Sequence, residues 1–425
     1  MTTLSMLALA IFLLSYVVII SEKIHRTVVA TAGAALMVLV GILTQEQALE
    51  GIDFNTLGLL IGMMVIVGIA KESGMFQYVA IQAAKIAKGK PIAIFLLLGL
   101  ITAVFSAFLD NVTTVFLMVP VTFVIANNLH VDPKPYLIGT ILFSNIGGAA
   151  TLIGDPPNIL IGSASGLTFN EFLFHLGPIA FITFLAVMGV LLFVYRHAFS
   201  TTEEYRANIL KFNPREALSD IPLLIKSLIV FALVFLGFLT HSVTHIEVAT
   251  IALAGAALLL LLTMNDPEDH LREVEWGTIF FFAGLFVLVT GIEHAGIIDA
   301  VATWMLGVTA GNLTITTFAV MWGSAIASAI VDNIPFVATM IPLIKEISLA
   351  GHIANPEPLW WALAIGADFG GNATIIGASA NVVVKGMAEK AGHKIGFFSY
   401  MAVAAPLTVL ALAISSVYVF LRYLI

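Results

Sequence analysis

Two stretches decide the fold: Ser106-Ala-Phe-Leu-Asp110-Asn111-Val-Thr113-Thr114 and Ser328-Ala-Ile-Val-Asp332-Asn333-Ile-Pro335-Phe336. Each sets a carboxylate beside an amide inside an otherwise apolar run. Asp and Asn bond nearby backbone rather than extend a helix, and Pro335 removes an amide donor, so the reading is an interrupted helix. A break leaves free N–H and C=O groups able to hold a polar solute or ion. The plainer reading, that Asp and Asn merely cap two half-helices, stands beside it.

Working outward, the pair is part of a duplication. Asp110 and Asp332 differ by 222 positions, as do Pro120 and Pro342, Gly33 and Gly255, Asp53 and Glu275, Gly62 and Gly284, and Gly74 and Gly296. With one inserted residue, Gly147-Gly148 falls on Gly370-Gly371, Thr151 on Thr374, Gly154 on Gly377 and Asn158 on Asn381. The expected organisation is an extra N-terminal membrane helix at 1–21, a first repeat at 22–200, a basic cytoplasmic linker at 201–230 and a second repeat at 231–425. Such repeats are commonly inverted in the membrane and bind their cargo at the interface between them.

Composition agrees with a lipid-solvated chain. Of 425 residues 60% are hydrophobic and only 10% charged, too few charges to cover a water-exposed surface. Runs of about 20 apolar residues span a bilayer, and roughly ten to twelve such passes are expected, with two interrupted segments besides. The first run lacks a basic n-region and is read as a helix, not a cleaved leader. Arg196, Arg206, Lys211, Arg215 and Lys226 cluster at mid-chain, which places that segment on the cytoplasmic side. There is no cysteine, hence no thiolate metal site. No cofactor, metal cluster or nucleic-acid partner is expected. Lys71, Glu72, Glu293 and His294 read as interfacial charges, and His241, His245 and His352 are given no role.

A second pair of constellations is Asn145-Ile-Gly147-Gly148-Ala-Ala-Thr151-Leu-Ile-Gly154-Asp155-Pro156-Pro157-Asn158 and Asp368-Phe-Gly370-Gly371-Asn372-Ala-Thr374-Ile-Ile-Gly377-Ala378-Ser379-Ala380-Asn381. Turn residues with apolar flanks suggest a hairpin that enters the membrane and returns. The fold class is therefore an all-α polytopic membrane protein of two inverted repeats, with re-entrant helical hairpins and broken transmembrane helices. The expected substrate-binding set is Asn111, Asn333, Asn158, Asn381, Thr113, Thr151, Thr374, Gly148, Gly371 and Asn372. Asp110, Asp332, Asp155 and Asp368 are the expected proton or ion carriers, because burial favours the protonated form of a carboxyl. The Gly pairs can equally serve close helix packing.

No Lys or Arg lies between Pro91 and Pro133, between Lys134 and Tyr195, between Glu273 and Ile344, or from Glu346 to Val384. Both signature regions thus offer acids and amides without a local cation. A polyanion such as citrate would find no guanidinium clamp there; a proton, a cation or a small neutral hydroxylated solute suits the residues better.

Leu109-Asp110-Asn111-Val, Val331-Asp332-Asn333-Ile-Pro335-Phe, Gly154-Asp155-Pro-Pro-Asn158 and Gly377-Ala-Ser-Ala-Asn381, with Val274-Glu-Trp-Gly-Thr-Ile, resemble the ion transporter superfamily. Within it, the chain is similar to the branch of arsenite efflux permeases and the pink-eyed dilution protein. The resemblance implies a transport domain moving against a scaffold, a homodimer, and room for a separate ATPase subunit. It also implies a bacterial plasma membrane and a cargo of arsenite or antimonite, exported against protons carried by Asp110 or Asp332. A sodium/proton antiporter and an anion transporter or channel of the pink-eyed dilution type are the alternatives. An enzyme is not expected: no nucleophile–base pair and no nucleotide-binding loop is present.

Overall fold

The computed structural model describes residues 3–21, 23–264, 266–349, 353 and 355–425; His352 lies outside them. The described residues form helices and no strand. The first half runs α1 (Thr3–Ser21), α2 (Arg26–Leu39), α3 (Gln45–Glu50), α4 (Phe54–Glu72), α5 (Met75–Ile86), α6 (Pro91–Phe108), α7 (Asn111–Leu129), α8 (Lys134–Gly148), α9 (Pro156–Ser165) and α10 (Phe169–Val194). A short helix, α11 (Glu203–Leu210), and a 3-10 turn at Pro214–Ala217 follow. The second half repeats the order: α12 (Ile221–Thr244), α13 (Val248–Thr263), α14 (Pro267–Leu271), α15 (Trp276–His294), α16 (Ile297–Thr309), α17 (Leu313–Ser328), α18 (Asn333–Leu349), α19 (Glu357–Gly370), α20 (Ser379–Lys390) and α21 (Phe397–Val419). Helix α12 is thus the counterpart of α1. The expected boundaries are corrected accordingly: α1 belongs to the repeat, and the linker ends at Asp220 because α12 runs through residue 230.

Local chemistry sets the ends. Asp53 caps α4, its carboxylate accepting from the amides of Asn55 (3.0 Å) and Thr56 (3.2 Å). Thr168 and Glu171 form a capping box on α10. Pro91 and Pro156 occupy first-turn positions that need no amide donor. Gly74 and Gly296 start α5 and α16 with φ of 77° and 70°, left-handed backbone that a residue with Cβ adopts reluctantly.

Contacts with the linker fix the direction of each helix. Ser219 N–H donates to Ser73 C=O (3.1 Å) at the end of α4. Gly89, just before α6, lies against the Arg206 backbone, and Thr201 Oγ1 donates to Leu129 C=O (2.5 Å) at the end of α7. Helices α6 and α8 run parallel: Tyr136 OH reaches Pro91 C=O (3.0 Å) at their starts, and Gly139 meets Phe95 as Gly147 meets Ala103, a constant separation of 44. Helix α7 begins where α6 stops and ends where α8 starts. So α6 and α7 form a hairpin that returns to the linker end. The chain then passes through α8, the break at 149–155 and α9, to the far end, where Phe169 N–H donates to His241 Nε2 (3.1 Å) in the last turn of α12.

These facts exchange two assignments made from sequence. The Asp-Asn pairs are the tips of the hairpins, and the Gly-rich stretches are the breaks in the crossing helices. Each half crosses five times, through α1, α2, α4, α8–α9 and α10, or through their counterparts. An odd number inverts the second half. Its hairpin, α17–α18, enters from the far end: α17 parallels α19, Gly366 meeting Met321 and Gly370 meeting Ala325 at a separation of 45. Among the described residues eight helices are long and apolar enough to cross a membrane; they include the arms α6 and α7 and omit α2, α13 and the broken spans.

The crossing helices sort into two layers. In the scaffold, α4 packs on α13 and α2 on α15, each pair joining the two halves. A Cβ at Gly62 would sit 2.6 Å from Ala252 backbone, and one at Gly284 2.7 Å from Ala30 backbone. The residues are equivalent (62 + 222 = 284; 30 + 222 = 252), so the contact is reciprocal, as at a two-fold interface. The inner layer holds both hairpins and both broken spans, with α7 against α20 and α18 against α9 across the halves.

Candidate solute site at the hairpin tips

Each tip is a break of one or a few residues. Asp110 caps α7, accepting from Thr113 N–H (2.8 Å) and from the Thr113 hydroxyl. Asp332 accepts from Ile334 N–H (3.1 Å). Capping, the plainer reading, is therefore part of what both aspartates do. Asn111 and Asn333 follow as the first helical residues and point inward, both buried.

The breaks are tied down by their own backbone. Ser106 Oγ donates to Ser144 C=O (2.6 Å) and Ser328 Oγ to Ala367 C=O (2.6 Å). Thr151 Oγ1 donates to Ala107 C=O (2.5 Å), Thr374 Oγ1 to Ala329 C=O (2.6 Å). The amide of Asn158 donates to Thr151 C=O (3.0 Å), and that of Asn381 to Thr374 C=O (2.9 Å) and Gly371 C=O (2.8 Å). Gly148 and Gly371 close the loops: a Cβ there would lie 2.6 and 2.8 Å from the carbonyl oxygens of Gly154 and Gly377. Of the expected substrate-binding set, Thr151 and Thr374 thus fasten breaks to hairpins, and Gly148 and Gly371 close the breaks on themselves. Thr113 serves the Asp110 cap.

The rest converge. Asn111 Nδ2 donates to Asp155 Oδ2 (2.7 Å) and to Asn145 Oδ1 (3.1 Å), and Asn333 Nδ2 reaches Asp155 Oδ1 (3.4 Å). Asn145 Nδ2 donates to the side-chain oxygens of Asn372 and Asn381 (both 2.9 Å), and Tyr400 OH holds Asn372 C=O (2.9 Å). Asp155 thus binds the tips of both hairpins, and Asn145 binds the break of the opposite half. Asp368, Asp332 and Asp110 all lie within electrostatic range of Asp155. Asn145 was absent from the expected set. Its alignment with Asp368 (145 + 223 = 368) was the available signal.

One member of this cluster has no donor. Both carboxyl oxygens of Asp368 are buried without a hydrogen-bond partner, and so is Asn158 Oδ1. The Asn158 side chain is the polar group that bears on Asp368, while its amide also meets the backbone carbonyls of Gly148, Ala149 and Thr151.

A base that local sequence could not reveal completes the site. Arg26, at the start of α2, donates from one terminal nitrogen to Asp332 Oδ2 (3.1 Å) and Ser379 Oγ (2.7 Å), while Ser379 Oγ donates to Asp332 Oδ2 (2.6 Å). The guanidinium stacks on Phe281, 4.9 Å from the ring centre. The expectation of a cation-free site is corrected: 306 residues separate this pair along the chain. Beside it is a cavity of about 290 Å³ lined by Ile19, His25, Arg26, Asp332 and Ser379. A second, of about 280 Å³, is lined by Thr113, Lys71, Glu273 and Glu275. Both lie at the linker end and touch the hairpin tips. No group of three or more His, Cys, Asp and Glu suited to a metal is found among the described residues.

Hairpins entering from opposite faces and meeting at broken spans are carrier architecture, and the comparisons with known proteins agree. The model of the citrate transporter family matches residues 16–366. The chain belongs to that family. This member of the citrate transporter family is 42% identical to an uncharacterized transporter of Mycobacterium tuberculosis, over 99% of both chains. It is 34% identical to the P protein of Homo sapiens over 99% of its own length and 60% of that protein. Among solved structures it shares its fold with the Alcanivorax borkumensis YdaH transporter (TM-score 0.60, 15% identity, 99% of this chain and 98% of that one). The Neisseria gonorrhoeae antimetabolite efflux pump MtrF is similar in fold too (TM-score 0.61, 13% identity, 100% and 96% covered). The P protein supports the pink-eyed dilution side of the resemblance. The chain is an integral membrane transporter of the ion transporter superfamily, not an enzyme.

Proposed function

We propose that this chain is a secondary transporter that exports arsenite or antimonite in exchange for protons. The observation that carries the reading is the buried, donor-less pair of Asp368 and Asn158 Oδ1. An ionised carboxylate left without a donor costs several kcal/mol. A proton on Asp368 would remove that cost and donate to Asn158 Oδ1, satisfying both groups. A small uncharged trihydroxide would do the same with its own O–H donors. Proton and cargo then compete for one set of acceptors, which is the logic of exchange. Asp155, held by Asn111 and Asn333, gives both hairpins a stake in the same site. The four aspartates oppose a tricarboxylate cargo, and the guanidinium of Arg26 is already engaged by Asp332.

The test is flux into proteoliposomes under an imposed pH gradient without ATP. Arsenite should move uphill, and Asp368→Asn should leave only downhill flux; no arsenite movement under any gradient defeats the proposal. The same cluster of acceptors favours one second reading, a sodium/proton antiporter. In that case sodium addition would discharge a pH gradient and arsenite would be ignored.

A further inference from the structure

We infer that Arg26 is a lock that sets which end of the carrier is open, and that the lock exists on one side only. Arg26 belongs to the scaffold helix α2, whereas Asp332 and Ser379 belong to the inner layer, on the tip of the second hairpin and the first turn of α20. Its two bonds therefore join the layers. A second polar bond does so nearby: Tyr16 OH, on α1, which packs on the scaffold helices α2 and α15, meets Pro335 C=O (2.7 Å) and Thr339 Oγ1 (2.6 Å) on α18. In this state both hairpin tips face cavities at the linker end. A carrier must later expose the same site at the far end, and sliding the inner layer by a few ångström separates a 3.1 Å ion pair.

The inverted repeat says what would replace the lock. In an inverted pair, the far-end-open state gives the first half the contacts that the second half makes now. The residues equivalent to Arg26, Tyr16 and Ser379 are Val248, Phe238 and Pro156 (26 + 222, 16 + 222 and 379 − 223). None can donate a side-chain hydrogen bond to Asp110. The linker-end-open state has a charged clasp and its counterpart has none. The bond biases the resting carrier toward the linker end whatever the cargo is, so the inference stands apart from the arsenite reading.

The chain has no cysteine, so a spin-label pair needs no background substitutions. Labels at Val28→Cys on α2 and Lys390→Cys at the end of α20 are both exposed, one on each layer. Double electron–electron resonance in nanodiscs should show one dominant distance in the otherwise unaltered chain. Arg26→Gln and Asp332→Asn should each cut that population relative to a second distance by about tenfold, the scale of a partly buried hydrogen bond to a charge. Arg26→Lys should largely retain it. Val248→Arg, which offers Asp110 a matching cation, should raise the second population. A distance distribution that is the same in Arg26→Gln, Asp332→Asn and Val248→Arg, all eluting as folded protein, would overturn the lock.

Discussion

The two halves share a frame and differ in charge. The serine bonds of Ser106 and Ser328, the threonine bonds of Thr151 and Thr374, and the asparagine bonds of Asn158 and Asn381 join equivalent residues at similar lengths in the two halves. Around them the acids have drifted apart. Asp155 faces Ala378 at the equivalent position, Asn145 faces Asp368, and Asn372 faces Ala149. Asp110 keeps to its own Thr113, where the second half has Pro335, and Asp332 turns to Arg26 instead. Duplication supplied the same frame twice, in opposite orientations. Divergence then made a single asymmetric polar cluster across the two halves, and placed the Arg26–Asp332 pair on one side only.

The difference can be broken where it is greatest. Asp155→Ala leaves the amides of Asn111 and Asn333 without their shared acceptor. Uphill transport should fall more than about 100-fold, in keeping with 3–5 kcal/mol for breaking a buried charged contact, and adding Ala378→Asp should not restore it. Asp368→Asn makes the halves alike at that position. Coupling should vanish while downhill solute exchange survives, so that flux measured with and without a pH gradient becomes equal. The shared frame is tested by Gly62→Ala and Gly284→Ala, which force a Cβ within 2.6–2.7 Å of backbone. Each should destabilise the folded protein by about 1–3 kcal/mol and lower its thermal midpoint in detergent, equally in both halves, while Gly189→Ala, with nothing within 4 Å, should not. The smallest effect belongs to Lys71→Ala. Its bridge to Glu273 (3.3 Å) is half exposed, so stability should change by less than about 1 kcal/mol.

Much of this was legible beforehand because duplication writes itself twice. The constant offset exposed the repeat, and polar residues inside apolar runs marked Asp110, Asn111, Asn158 and their mates. Three things were not legible, each for a physical reason. Both turn-forming stretches have apolar flanks, so local chemistry cannot say which one reverses the chain; only the parallel packing of α6 on α8 decides it. Helix α1 carries no motif, and a uniformly apolar helix matches another by position alone. Arg26 reaches Asp332 through tertiary structure, across 306 residues. The sequence also overstated the free hydrogen-bonding capacity of the site, since Thr151, Thr374 and the amides of Asn158 and Asn381 are occupied by backbone carbonyls that no motif displays.

The crossed glycine contacts of the scaffold have a consequence for biogenesis. Gly62 on α4 waits for Ala252 on α13, and Ala30 on α2 waits for Gly284 on α15. When the ribosome has finished the first ten helices, neither groove has its filling, so the nascent half sits in the bilayer with two open seams. Synthesis of α13 and α15 zips them shut. Expressed alone, either half should be captured by a copy of itself inserted upside down, or be cleared by membrane proteases.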